Sequence, residues 1–168
     1  MTLRLPCLVT AALLGLGMLG PGTALAAPDD TVEVEADRLD LDQRAGTAVY
    51  RGNVHIRQGK MRLRGARVEI QRNDAGELSR ATAYGQRAWL RHQPDGQPQP
   101  IEGEARRIIY HVAERRVELI DQAELNQGGD HFTGGRLEYL IDREVVQARS
   151  DVEGSDKQRI HMTLEPEE

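Results

Sequence analysis

From Val32 onward the chain alternates apolar and polar residues, and the alternation restarts after each turn signal. Val32 and Val34 alternate with Glu33 and Glu35. Over 47–57, Ala48, Tyr50, Gly52, Val54 and Ile56 take one phase, and Val49, Arg51, Asn53, His55 and Arg57 take the other. Period two marks a strand with one dry face and one wet face. Gly52 on the dry phase predicts a bend or a close approach to a neighbouring strand. Met61, Leu63 and Gly65 carry the dry phase further, and after a one-residue shift Val68 and Ile70 resume it. That shift, at Gly65-Ala66, predicts a bulge or corner. Ala81, Ala83 and Gly85, then Ala88 and Leu90, follow the same rule. Turn signals separate the strands at 43–46, 73–76, 94–96, 126–129 and 141–144. Residues 113–116 are too short for a helix between strand-like flanks and predict a turn.

The pattern also repeats at an offset of 69 residues. Leu39 is echoed by Ile108, Leu41 by Tyr110, Ala48 by Val117, Tyr50 by Leu119, Val54 by Ala123, Ile56 by Leu125, Leu63 by Phe132 and Val68 by Leu137. Gln58-Gly59 returns as Gln127-Gly128, and Gly65, Arg67 and Glu69 return as Gly134, Arg136 and Glu138. Two stacked copies of one short-stranded unit predict an elongated body. The dry faces are built from Val, Leu, Ile and many Ala, with only Trp89, Phe132 and four tyrosines for aromatic bulk. A long sheet of this composition folded over itself predicts unfilled apolar space.

The first 26 residues read as an export signal. Arg4 opens it, Leu8 to Leu19 is an apolar run, and Ala24-Leu25-Ala26 offers a small-x-small cleavage site. The run is short for a membrane span and no basic stop follows it. The mature chain is then 27–168, long enough for one domain with a core. Losing Arg4 takes the formal charge from -5 to -6. The charges are interspersed, with no basic block of the kind nucleic-acid binding needs. Cys7 leaves with the leader, so no disulfide framework is expected, and a Cys-free exported domain points to a bacterial periplasm.

Catalytic constellations are missing from the pattern. His55, His92, His111, His131 and His161 form no close ligand pair, and surface positions are expected for them, with no metal. Gly128-Gly129 and Gly134-Gly135 lack the strand–loop–helix setting of a phosphate cradle. No carboxylate pair is set in an apolar neighbourhood that would raise one pKa. The remaining serines, Ser79, Ser150 and Ser155, sit on no nucleophile elbow. No enzyme and no cofactor are expected. The recurrent Arg38/Arg107, Arg67/Arg136 and Glu69/Glu138 predict cross-strand ion pairs on a solvated face. A band meeting anionic headgroups is the alternative. Glu118, opposite in phase to Leu119, is expected to point outward.

The segments Val32-Glu33-Val34-Glu35-Ala36-Asp37-Arg38-Leu39-Asp40 and Tyr50-Arg51-Gly52-Asn53-Val54-His55-Ile56-Arg57-Gln58-Gly59 carry a resemblance. So do Ile101-Glu102-Gly103-Glu104-Ala105, Asp121-Gln122-Ala123-Glu124-Leu125 and Gly134-Gly135-Arg136-Leu137-Glu138-Tyr139-Leu140. Together they resemble the OstA-like family of periplasmic lipopolysaccharide-transport proteins over residues 30–164. The resemblance implies an all-β, antiparallel β-jellyroll, V-shaped in section, whose apolar inner faces form a groove for acyl chains. On that reading the groove candidates are Val32, Val34, Leu39, Leu41, Tyr50, Val54, Ile56, Leu63, Leu90, Ile108, Tyr110, Val112, Leu119, Leu125 and Phe132.

It further implies a non-catalytic bridge piece that carries lipopolysaccharide from inner to outer membrane. Implied partners are lipopolysaccharide, an inner-membrane-anchored LptC-like adaptor at the N-terminal edge and an LptD-like outer-membrane translocon at the C-terminal edge. Copies would join head to tail through edges at 32–36 and 160–164. Two other readings remain: the soluble part of another component of the same machine, and an envelope scaffold with a filled core.

Overall fold

The computed structural model describes residues 31–150 and 158–165; the predicted leader lies outside them. Ten strands follow the alternation: β1 (Val32–Glu35), β2 (Arg38–Asp42), β3 (Thr47–Gln58), β4 (Met61–Arg72), β5 (Leu78–His92), β6 (Ile101–His111), β7 (Arg116–Gln127), β8 (Asp130–Leu140), β9 (Val145–Arg149) and β10 (His161–Thr163). A single 3-10 turn at Ile141–Arg143 is the one helical element among the described residues. Every pairing is antiparallel, in the order β1-β3-β4-β5-β6-β7-β8-β10, with β2 also on β3 and β9 also on β8.

Each long strand is interrupted near its middle, and the interruptions line up across the sheet. The register shifts between Arg51 and Val54 on β3, Arg64 and Arg67 on β4, Tyr84 and Ala88 on β5, Glu104 and Arg107 on β6, and Ile120 and Ala123 on β7. A bulge bends its strand, and a row of them creases the sheet. The crease divides the sheet into two leaves. β1 and β10 close the ends of one leaf, while β2 and β9 close the ends of the other. The leaves meet face to face: His92 on one lies beside Tyr139 on the other, with ring centroids 6.3 Å apart. A Cβ on Gly103 of the first leaf would run into Leu119 of the second.

The repeat is visible in the backbone itself. Left-handed φ occurs at Gly46, Gly52, Asn53 and Gly59, and again 69 residues on at Arg115, Asp121, Gln122 and Gly128. Two successive left-handed residues make the bulge in each copy. A residue of the edge chain then hydrogen-bonds to each bulge. Asn53 Nδ2 donates to Asp37 (3.4 Å), and the Asp37 amide donates to the Gly52 carbonyl (3.1 Å). In the second copy the Gln122 amide donates to Gln158 Oε1 (3.0 Å). Asp37 and Gln158 hold equivalent posts where the edge chain passes from one leaf to the other.

The crease therefore depends on Gly52 in two ways. Its φ of +80° disfavours any side chain, and an added Cβ would strike the Asp37 carboxylate. Gly76 has the same backbone demand, at φ +81°, but open space around it. Gly76→Ala should cost about 1–2 kcal/mol for the left-handed backbone alone. Gly52→Ala should cost at least about 1 kcal/mol more through the clash. Urea denaturation of the two variants should give that order.

Candidate functional site: an apolar trough between two leaves

Between the leaves run three ladders of cross-strand neighbours, each crossing eight strands. On the first leaf the ladder is Val34, Ile56, Leu63, Leu90, Gly103, Leu125, Phe132 and Met162. On the second leaf, next to the crease, it is Leu39, Tyr50, Val68, Ala83, Ile108, Leu119, Leu137 and Ala148. Further out it is Leu41, Ala48, Ile70, Ala81, Tyr110, Val117, Tyr139 and Val146. Strand alternation puts each ladder on one face, and the tyrosine phenols are the only polar groups in them. On the crease side of the first leaf, past Val54 on β3, the residues shrink to Gly65, Ala88, Ala105, Ala123 and Gly134, which lets the leaves fold together closely.

The trough is filled along its middle and open towards its ends. Val54, Ile56, Leu63, Leu90, Ile108, Tyr110, Leu119 and Leu125 are buried in one cluster formed by both leaves. Val32, Val34, Tyr50, Val112 and Phe132 are partly buried against it. Leu39 and Leu41, on the inner face of the edge strand β2, are 49% and 50% exposed. At the other edge Met162 is 52% exposed. Beside β1 a cavity of about 690 Å³ opens between the leaves, lined by Val32, Val34, Tyr50, Ile70 and Val112 among others. All fifteen candidate groove residues thus belong to one body, but only those near the edges and this cavity face free space. Alternation identifies the inner face; it carries no information on which inner residues find a partner across the trough.

The rim of the first leaf is mixed: Val32, Gln58, Met61, His92, Ile101, Gln127 and Asp130 form its outermost row. His92 is thus on the inner phase and half-buried, unlike the surface position expected for it. Burial pushes its pKa down, assisted by Arg115 and Lys60 and opposed by Asp95. Tyr139, fully buried, has its phenol pushed up to about 12, chiefly by burial. Among the described residues no group of His, Cys, Asp and Glu has a metal-binding arrangement. His111 instead contacts Glu118 at 2.9 Å, and His131 Nδ1 lies 2.5 Å from Asn126.

The outer face of the second leaf carries the recurrent charges as two adjacent rows. Arg38, Arg51, Arg67, Tyr84, Arg107, Ile120, Arg136 and Arg149 form one row. The next contains Asp40, Glu69, Glu118 and Glu138. Like charges directly opposite each other are unfavourable, and the acidic row offsets that repulsion. Arg51 pairs with Asp40 and Arg67 with Glu69. Arg136 reaches Glu118 at 2.7 Å and Glu138 at 3.0 Å. Ion pairing is as expected, but the face is not uniformly solvated. Glu118 is only 6% exposed, covered by the longer side chains of Arg116, Arg136 and His111, with the two arginines neutralising it.

A family model described as "LptA/(LptD N-terminal domain) LPS transport protein" matches residues 33–145. The chain belongs to this family. It is 34% identical over 154 residues to the lipopolysaccharide export system protein LptH of Pseudomonas aeruginosa, covering 88% of each chain. It is 29% identical over 125 residues to LptA of Escherichia coli K12, covering 73% of this chain and 66% of that protein. The crystal structure of Pseudomonas aeruginosa LptH superposes with a TM-score of 0.77 at 32% identity, covering 82% of this chain and 97% of LptH. That protein is described as the LptA-homologous periplasmic component of the conserved lipopolysaccharide transport device. The all-β jellyroll expected from the sequence is thus the fold of the LptA/LptD N-terminal family.

Glu118 offers a test of the outer face. Replacing a buried, paired carboxylate leaves its cationic neighbours less well matched. Glu118→Gln should lower the unfolding free energy by about 2 kcal/mol, and Glu69→Gln, on a more exposed site, by less than about 1 kcal/mol. Equilibrium urea unfolding of both variants measures the difference.

Proposed function

We propose that this protein is a periplasmic bridge segment that carries lipopolysaccharide from the inner to the outer membrane, sheltering acyl chains between its two leaves and catalysing no reaction. The observation that carries the reading is the set of three apolar ladders, continuous from edge to edge. Hiding acyl chain from water is worth roughly 0.8 kcal/mol per methylene. A ladder that repeats similar side chains at each strand gives a chain similar shelter along the whole trough, so it need not leave a deep minimum to advance. Val112, Tyr50, Val34 and Val32 surround the cavity where chains enter, and Leu39 and Leu41 extend the lining to the edge. The buried members come into contact with lipid as the leaves part. The family relationship and the transport roles named for LptH and LptA support the same reading.

Lipid retention tests it. Protein exported with its own leader and purified without detergent should yield multiply acylated lipid in mass spectra of its organic extract. Val112→Asp places a carboxylate in the entry cavity, where chains would have to desolvate it. Lipid per protein should fall at least about fivefold while the melting temperature changes by less than about 3 °C, since Val112 is only partly buried and borders the cavity. Parent protein devoid of lipid would leave the scaffold reading standing.

The edges fit a bridge built from copies and partners. Among the described residues β1 and β2 leave one backbone edge unpaired, and β9 and β10 leave the other. Such edges add strands from another chain. An inner-membrane adaptor at the N-terminal edge, a translocon at the C-terminal edge and further copies between them satisfy both. The contact is head-to-tail and need not close. Deleting residues 160–168 should convert concentration-dependent oligomers to monomers in sedimentation velocity; an unchanged ladder of species would rule out this edge.

A further inference from the structure

The cavity beside β1 is too small for a lipid of several chains, and it carries charges of both signs. Ala48 and Ile70, both buried, form its floor, and Val32, Val34, Tyr50, Leu78 and Val112 form its walls. A methylene takes much the same volume as a molecule of liquid water, roughly 30 Å³, which gives a cavity of about 690 Å³ room for about 20 of them. A sixteen-carbon acyl chain fits in full, and a second would stay largely in water. Beyond Val32 and Ile70 the space narrows to about 10 Å³ between Ile56, Met61, Leu63, Ala81 and Tyr110, less than one methylene. With the leaves closed, the cavity is a blind slot for one chain.

Two charged residues, Arg72 and Glu77, line its mouth, with Gln58, Asn73 and Ser79 as uncharged polar neighbours. Both charges are exposed and flank the 73–76 turn. The Asn73 amide closes that turn on the Glu77 carbonyl (2.9 Å), and Asn73 Oδ1 accepts from the Glu77 amide (2.9 Å). Asn73 Nδ2 also donates to one Glu77 carboxylate oxygen at 3.0 Å, which steadies the side chain without neutralising it. Among the described residues neither Arg72 nor Glu77 takes part in an ion pair. Such a mouth matches a headgroup that carries both signs. A purely anionic headgroup would meet one attraction and one repulsion. We propose that this cavity binds a single-chain zwitterionic phospholipid, its phosphate on Arg72, its ammonium on Glu77 and its acyl chain in the slot. The site shares the entry cavity of the carrier reading but not its cargo. One chain needs no parting of the leaves, so a bound lysophospholipid occupies the place where multiply acylated lipid enters.

Native mass spectrometry of lipid-free protein in a non-ionic detergent tests the site. The probes are sixteen-carbon lysophosphatidylethanolamine, which is zwitterionic, lysophosphatidylglycerol of the same chain length, which is anionic, and hexa-acyl lipid A. The wild-type chain should take up one lysophosphatidylethanolamine and prefer it to lysophosphatidylglycerol about fivefold, the upper end for an exposed ion pair. Glu77→Gln should remove that preference, and Arg72→Gln should weaken both lysolipids about fivefold. Both positions are exposed, so neither change disturbs the core. Val112→Trp, which fills the slot, should weaken both lysolipids at least about tenfold. Equal wild-type affinity for the two lysolipids overturns the site, and so does a folded Val112→Trp variant that binds them unchanged. If lipid A binds and neither lysolipid does, the site falls and the carrier reading stands. If the zwitterionic lysolipid binds with its preference and lipid A does not, the site stands and the carrier reading falls. If nothing binds, both fall.

Discussion

Everything in this molecule depends on bending every long strand at the same level. A flat antiparallel sheet of ten strands would leave one apolar face in water. Closing it into a barrel would hide that face but remove the edges. The row of bulges gives a third arrangement, in which the sheet folds onto itself along one line and keeps both ends open. The backbone conformation at that line is costly for most residues. It is held by Gly52 and by local hydrogen bonds made with Asp37 and Gln158. The small residues lining the crease let the leaves approach each other. The alternation would otherwise build only a flat surface.

From that constraint follow the uneven chemistry and packing of the two faces. The inner ladders are continuous because cross-strand register carries apolar residues from one strand to the next. The outer rows are charged for the same reason, with arginines facing arginines and a row of carboxylates alongside. Side chains from opposite leaves fill the middle of the trough, so stability and lipid shelter draw on the same residues. Leu119 illustrates the double role. It packs across the trough over Gly103, and a carboxylate there would disrupt the core whether or not lipid ever reaches it. Residues at the cavity beside β1 are less committed to packing and are better placed to report on lipid alone.

Much of this was legible in the sequence because strand periodicity and turn chemistry are local. The dry phase of each strand, the turns at 43–46 and 73–76, the turn in place of a helix at 113–116, and the corner at Gly65-Ala66 all follow from neighbouring residues. The second copy sets Asp121-Gln122 where Gly52-Asn53 stands in the first. Glycine signals only one of the two bulges, and Asp121 and Gln122 adopt the same backbone with ordinary side chains. What stayed hidden concerns contacts between distant strands. Glu118 reads as an outward, wet residue, and it is outward. Its burial arises from Arg116, Arg136 and His111 converging from three strands. His92 reads as one more surface histidine because the register that sets it opposite Ile101 depends on the 93–100 loop between β5 and β6. The division of the candidate groove residues into packed and open positions depends on the crease angle, which no local pattern encodes.

The central claim is that acyl chains enter between the two leaves. The separation of the leaves reports on it directly. Spin labels at Arg62 and Gln71, on the exposed parts of β4 on either side of its bend, follow the opening of the crease by pulsed electron resonance. Lipid loading should lengthen the distance between them and narrow its distribution, because chains wedge the leaves apart and fill the space. A distance unchanged by stoichiometrically bound lipid would contradict the account, since the lipid would then have to lie on another surface of the protein.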